Sequence, residues 1–312
     1  MTNQLLVILG PTAAGKTTVA ANWAYKNEGE IISADSRQVY RGMTIGTGKD
    51  YADYIVNDAA VPYHCIDIVD AGEQYNVFEY QKDFLRAYKS ILNRGKKPVL
   101  CGGSGMYIEA VINGYELIKT DINEELREEL EKKSDDELKT MLESLKSLHN
   151  RSDFDTRKRM IRAIEIAVNN TESSQQTNDY PDMQPLLIGI KYDRETRRKR
   201  ITQRLRQRLD EGMIEEAQTL IDAGLSVEQL EYYGLEYKYL AKYLTKELSY
   251  SQMFEQLNIA IHQFAKRQMT WFRRMEHNGA KIFWLDGFMP MEEKLREIDN
   301  RYLLPPSCSK NI

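Results

Sequence analysis

Cysteine, histidine and long apolar runs are scarce in this chain, and each shortage removes a class of protein. The three cysteines, Cys65, Cys101 and Cys308, are odd in number and far apart. They fit neither a disulfide framework nor a metal-ligand spacing, and so point to a reducing compartment, the cytoplasm. The four histidines, His64, His149, His262 and His277, share no ligand or triad spacing, so structural roles are expected for all of them. The longest apolar stretches, Leu5 to Gly10 and Pro98 to Gly103, are about a third of what a bilayer crossing needs. Met1-Thr2-Asn3 leads directly into the first of them, so no span, signal peptide or lipid anchor is expected. An overall basic excess is missing too: 43 Lys/Arg against 47 Asp/Glu give a net charge of −4, which excludes a basic nucleic-acid coat.

What is present is ordinary globular material, 42% hydrophobic, 29% charged and 10% aromatic, enough to bury a sizeable core. At roughly 150 residues per domain, 312 residues imply about two domains, or one domain carrying a large insertion. The chain is too long for a minimal kinase-like fold. Charge is unevenly spread. Lys191 to Arg208 holds nine Lys/Arg against Asp193 and Glu195, whereas Glu116 to Lys146 holds eleven acidic and six basic residues. A concentrated positive segment implies an anionic partner.

Gln4 to Leu9 is a continuous apolar run, followed by a Gly-rich turn and by small and apolar residues suited to a buried helix at Thr17 to Ala24. Further apolar runs at Glu30 to Ser33, Pro98 to Cys101, Leu186 to Ile190 and Lys281 to Leu285 read as strands. Between them lie helical stretches such as Val77 to Asn93, with Phe78, Phe84, Leu85, Tyr88 and Leu92 on one stripe. The alternation predicts an α/β fold with a parallel, doubly wound sheet. Glu116 to His149 and Arg194 to Phe264 are charged and helix-periodic, the second with Ile201, Leu205, Leu209 and Met213 on one face, and read as helical insertions. The polar run from Asn169 to Pro185 reads as an exposed loop. The expected organisation is therefore a core segment (1–115), an acidic helical insertion (116–150), a return to the core (151–193), a second helical insertion basic at its start (194–255), and a C-terminal helix, last strand and tail (256–312).

Three turns carry chemistry. Gly10-Pro11-Thr12-Ala13-Ala14-Gly15-Lys16-Thr17 matches the phosphate-loop pattern G-x-x-x-x-G-K-[ST], between a predicted strand and a predicted helix. A chance match somewhere in the chain is on the order of one in a hundred. Its backbone N–H groups turn toward a phosphate at a helix N-terminus, Lys16 supplies charge to the oxygens, and the Thr17 hydroxyl can hold Mg²⁺. The second strand ends in Ala34-Asp35-Ser36-Arg37-Gln38. This puts Asp35 on the rim where ligands bind in such sheets, as a proton acceptor or, on the plainer reading, as the N-cap of a helix. A third turn, Gly102-Gly103-Ser104-Gly105, offers a hydroxyl among glycines that packing alone could also require.

Together the turns resemble the tRNA dimethylallyltransferases, also called tRNA isopentenyltransferases. The stretches are GPTAAGKT (10–17), ADSRQVYRGMTIGTGK (34–49), VPYHCIDIVD (61–70), GGSGMYIEAVINGYE (102–116), DTRKRMIRAIEIA (155–167) and FAKRQMTWFRR (264–274). The resemblance implies a P-loop NTPase-like core with helical insertions that clasp the anticodon stem-loop. It implies transfer of a dimethylallyl group from dimethylallyl diphosphate to N6 of the adenosine 3′ of the anticodon, in tRNAs reading codons that begin with U. Lys16, Thr17 with Mg²⁺, and the whole loop Gly10 to Thr17 would then hold the diphosphate, joined by Arg204. Asp35 would deprotonate the amine. Asp35, Ser36, Arg37, Gln38, Ser104, Arg127, Lys158, Arg159, Met160, Ile161 and Arg162 would contact tRNA. A cytoplasmic monomer is expected.

The chain also departs from the family pattern. Ser104 stands where many members have threonine, Ile261-His262 replaces a Thr-Arg pair, and Gly234 to Lys238 replaces a Gly-Tyr-basic turn. A base in an anticodon loop must be flipped out to react, and Lys191 to Arg208 with Lys266, Arg267, Arg273 and Arg274 could grip the surrounding phosphates. Trp271 and Phe272 are expected in the core. Two other classes share parts of the pattern. An ATP-dependent nucleoside or nucleotide kinase would turn over ATP without RNA. A non-catalytic RNA-binding module would tolerate loss of Asp35.

Overall fold

A computed structural model describes residues 3–115, 117, 123–145, 154, 156–170 and 180–303. The chain forms two compact units, one of Met1–Gly114 with Pro181–Ile312 and one of Tyr115–Tyr180. In the first, strand β1 (Gln4–Leu9) leads into helix α1 (Lys16–Asn27), whose Val19, Ala20, Ala21, Trp23 and Ala24 are buried. Strand β2 (Gly29–Ala34) follows, then a short 3₁₀ turn and hairpin containing β3 (Ile55–Val56) and β4 (Ala59–Ala60), and β5 (Tyr63–His64). Helix α2 (Val77–Asn93), strand β6 (Lys97–Gly102) and helix α3 (Gly105–Ile112) complete this half. After the second unit the chain returns as β7 (Gln184–Lys191). Helices α7 (Arg194–Asp210), α8 (Met213–Asp222), α9 (Val227–Tyr232), α10 (Leu235–Leu244) and α11 (Tyr250–His277) follow, then β8 (Ile282–Asp286) and α12 (Met291–Tyr302).

The main sheet has strand order β5-β2-β6-β1-β7-β8, every neighbouring pair parallel. Its central strands are apolar along their whole length because helices cover both faces: Leu5 to Leu9 are fully buried. The chain leaves β1 for one side of the sheet and later returns to β7 on the other. The carboxyl ends of β1, β2 and β6 therefore sit beside a topological switch point, where open α/β sheets bind ligands.

The five predicted strands are all present, and α2 has the predicted bounds, its first turn capped by the Asn76 side chain. Its buried stripe is Tyr80, Phe84, Ala87, Tyr88 and Ile91; Phe78, Leu85 and Leu92 lie at the stripe's edge, half-buried. The stripe Ile201, Leu205, Leu209, Met213 is buried as expected but spans two helices, because the chain breaks at Gly212. Asp35 is no helix N-cap: residues 36–39 form a turn, and its Oδ1 accepts the Arg37 N–H at 2.9 Å. Of the expected loop Asn169 to Pro185, the first two residues end a helix, the last two begin β7, and 171–179 lie outside the described residues.

The second unit contains α4 (Glu124–Glu131), α5 (Asp135–Leu145) and α6 (Arg157–Asn170). Residues 157–170 thus lie in this unit, whereas the sequence reading assigned them to the core. The reason is apolar: Leu130, Leu138 and Leu142 on two short acidic helices need a third wall, which Met160, Ile161 and Ile164 supply. Conversely, residues 194–255 form part of the unit that contains the sheet.

Candidate active site

The three predicted turns line one cavity of about 400 Å³ at the carboxyl ends of β1, β2 and β6. The phosphate loop contributes Thr12, Lys16 and Thr17, the second turn Asp35 to Gln38, and the third Gly103 and Ser104; Arg204 of α7 faces the same space. Sequence-distant turns converge because each ends a parallel strand on the same edge.

Each turn is held by specific bonds. Lys16 Nζ donates to the carbonyl of Pro11 at 2.8 Å, and burial pushes its ammonium down to about 8. A desolvated cation at this position favours an anionic ligand, which would restore its charge. Ala13 adopts a left-handed conformation, φ 60°, and its carbonyl accepts a hydrogen bond from Arg200 Nε at 2.9 Å. Of the expected diphosphate-binding set Gly10, Pro11, Ala13 and Ala14 are buried, whereas Thr12, Gly15, Lys16 and Thr17 are half-buried. The Ser104 hydroxyl accepts the Ser36 N–H at 3.1 Å, tying the third turn to the second. At Gly103 a Cβ would stand 2.4 Å from Gln268 Nε2, so packing accounts for this glycine while Ser104 faces the cavity.

Several cavity residues escaped the sequence reading. Gln268 of α11 accepts the Thr12 N–H at 2.8 Å and donates to the Gly103 carbonyl at 3.0 Å, bridging two turns. The stretch FAKRQMTWFRR is distinctive, but nothing local marks this glutamine. Tyr233 lines the cavity too, beside Glu236 of the Gly234 to Lys238 turn and Arg208 and Arg267, which the sequence places among the cations gripping RNA phosphates. Arg200, Arg204 and Arg208 recur every four residues, a helical-face signal that was legible. Glu216 holds the loop after the second turn, accepting the N–H groups of Thr44, Ile45 and Gly46 at 2.8–2.9 Å and the Tyr237 hydroxyl at 2.6 Å.

The remaining expected contacts lie in the second unit. Lys158 and Arg159 are exposed on α6, whereas the side chains of Met160 and Ile161 are buried in that unit's core. Arg127 and Arg162 both pair with the buried Glu165, at 3.1 and 2.6 Å. Burial alone would push the Glu165 carboxyl up. Hydrogen bonds from Arg162, the Asn123 N–H and Arg127 outweigh it and hold the carboxyl below the usual range.

Phe272 is fully buried, and Trp271 donates to Glu109 at 2.9 Å. His64 pairs with Glu30 at 2.7 Å, and Cys65 and Cys101 are free and buried; His149 and Cys308 lie outside the described residues. Among the described residues no helix is long and apolar enough to cross a membrane. Nor does any group of three or more His, Cys, Asp or Glu among them form a metal cage.

A family model described as IPP transferase matches residues 38–275. The chain is 56% identical to "tRNA dimethylallyltransferase 1" of Parabacteroides distasonis, covering 94% of this chain and 95% of that protein. It is 55% identical to "tRNA dimethylallyltransferase 2" of Phocaeicola vulgatus over 95% and 96% of the two chains. Among solved structures it is similar to the full-length tRNA isopentenylpyrophosphate transferase of Bacillus halodurans, with a TM-score of 0.70 and 32% identity over 96% of this chain and 95% of that one.

Proposed function

The chain belongs to the IPP transferase family, and from that premise we propose that it transfers the dimethylallyl group of dimethylallyl diphosphate to N6 of the adenosine 3′ of the anticodon in tRNA. The observation that carries the reading is the single cavity shared by Lys16, Thr17, Asp35, Ser104 and Arg204. The donor's diphosphate lies on the phosphate loop. The flipped-out adenine lies toward Asp35 and Ser104. N6 attacks the allylic carbon, the carbon–oxygen bond breaks, and its electron pair leaves with the diphosphate while Asp35 takes the proton from nitrogen. Lys16 and Arg204 face the charge that develops on the leaving group, and the loop's backbone N–H groups add fixed dipoles.

The donor set fits Mg²⁺, which keeps several waters and substrate phosphate oxygens and needs only one or two protein oxygens. The Thr17 hydroxyl, on the cavity wall, is the residue that would hold it. The bound ion would neutralise charge on the leaving diphosphate. Asp35, Ser36, Arg37, Gln38 and Ser104 position the anticodon loop, and the exposed Lys158 and Arg159 take RNA phosphates.

The test incubates the protein, Mg²⁺ and unmodified tRNA with radiolabelled dimethylallyl diphosphate, beside a control with labelled ATP. Label recovered in N6-dimethylallyladenosine is the expected result. Phosphate transfer from ATP without RNA, and no prenyl transfer, would contradict the proposal.

A further inference from the structure

Arg200, Arg204 and Arg208 form a ladder along one face of α7, and their engagements differ. Arg200 is committed to the Ala13 carbonyl. Arg204 Nη2 bonds Asp50 at 2.6 Å. Arg208 has no such bond. Its side chain is only 10% exposed, its Nε and Nη2 are buried without a hydrogen-bond partner, and Asp50 stands 3.6 Å away, at ion-pair but not hydrogen-bond distance. Yet Arg208 lines the active-site cavity. A guanidinium desolvated with two donors unpaired is unfavourable unless an anion completes it in another state.

The surroundings are built to keep that guanidinium in place. Leu205 and Leu209 anchor its helix, and Gly48 lets the loop backbone pass so close that a Cβ there would meet Arg208 Nη2 at 1.9 Å. Gln38 fixes that loop by donating to the Gly48 carbonyl at 2.9 Å. Two acidic groups face Arg208. Asp50 is half-exposed and shared with Arg204, and burial holds the Glu236 carboxyl above its ordinary range, so neither fully neutralises the pair of arginines.

The geometry points to Arg208 as a second guanidinium for the donor's diphosphate, with Asp50 as the resident carboxylate that the diphosphate displaces from Arg204 and Arg208. This rests on the prenyl-transfer reading and deepens it. Arg208 joins Lys16 and Arg204, among the cations lining the cavity, in facing a leaving group that carries several negative charges. An arginine fork suits such oxygens better than a point charge does.

Inorganic pyrophosphate, as an inhibitor competing with dimethylallyl diphosphate at saturating tRNA, is the probe. Arg208→Met and Arg208→Gln each raise the pyrophosphate Ki and the donor KM at least tenfold while the tRNA KM stays within twofold, and Arg208→Lys recovers part of the loss. An unchanged Ki in either folded variant overturns the inference. Loss of fold in both, read by circular dichroism, assigns Arg208 to structure and overturns it equally. Wild-type protein that neither transfers prenyl groups nor binds pyrophosphate would instead remove the reading on which the inference rests.

Discussion

Asp35 and Lys16 divide the chemistry between proton and charge, and each can be tested alone. Asp35→Ala removes the proton acceptor, so kcat is expected to fall by about 10²–10⁴ while tRNA binding stays measurable by filter retention. Unchanged turnover would remove Asp35 from the mechanism. Lys16 titrates near 8 in the free protein because burial disfavours its charged form. Diphosphate needs the protonated amine, so kcat/KM for the donor falls as pH rises through about 8, and Lys16→Met abolishes that limb along with most donor affinity. A profile flat from pH 7 to 9.5 in the wild type would contradict this assignment. Both residues were legible in the sequence because local pattern marks them: a glycine spacing around one, a strand end before the other. Gln268 was not read, since its partner Thr12 lies far along the chain, and Arg208 was read only as one cation of a basic segment, because the fold alone brings it against Gly48.

Helix α11 shows why an element can be recognised while its role stays hidden. Its stretch FAKRQMTWFRR was distinctive as sequence, yet the residue that joins it to the phosphate loop is a single amide, Gln268, serving Thr12 and Gly103 at once. Gln268→Leu leaves the half-buried Thr12 N–H and the buried Gly103 carbonyl without this partner, at a cost of about 1–3 kcal/mol. For a chain of this size the melting temperature should drop by roughly 2–4 °C for each of those kcal/mol. The donor KM should rise with it, as the loop loses its brace; a lower melting point with unchanged KM would reduce Gln268 to packing. In the second unit, α6 falls within the segment 151–193 that the sequence assigns to the core. Which helices it covers depends on the leucines of α4 and α5, and periodicity does not encode that pairing. Glu165→Gln weakens the grip on Arg127 and Arg162 by about 1–3 kcal/mol, visible as faster proteolysis within 115–180.

Across the whole molecule, charge is arranged locally against an acidic total. Net charge is −4, while nine cations crowd residues 191–208. Some of these are already spent inside the protein, Arg200 on Ala13 and Arg204 on Asp50. RNA affinity should therefore rest on a few phosphate contacts, with a log–log salt slope of magnitude below about 5. A slope near 10 would require far more contacts than these clusters provide. The parallel sheet and the insertion of helices were foreseeable from the alternation of apolar runs. The division into units was not, because it depends on which short helices share a core.

The most direct test of the central claim maps the product on the RNA itself. Mass analysis of nuclease fragments after reaction with dimethylallyl diphosphate should place one dimethylallyl group on the adenosine 3′ of the anticodon, and none on a tRNA carrying guanosine there. A prenyl group elsewhere, or equal modification of both RNAs, would contradict the account.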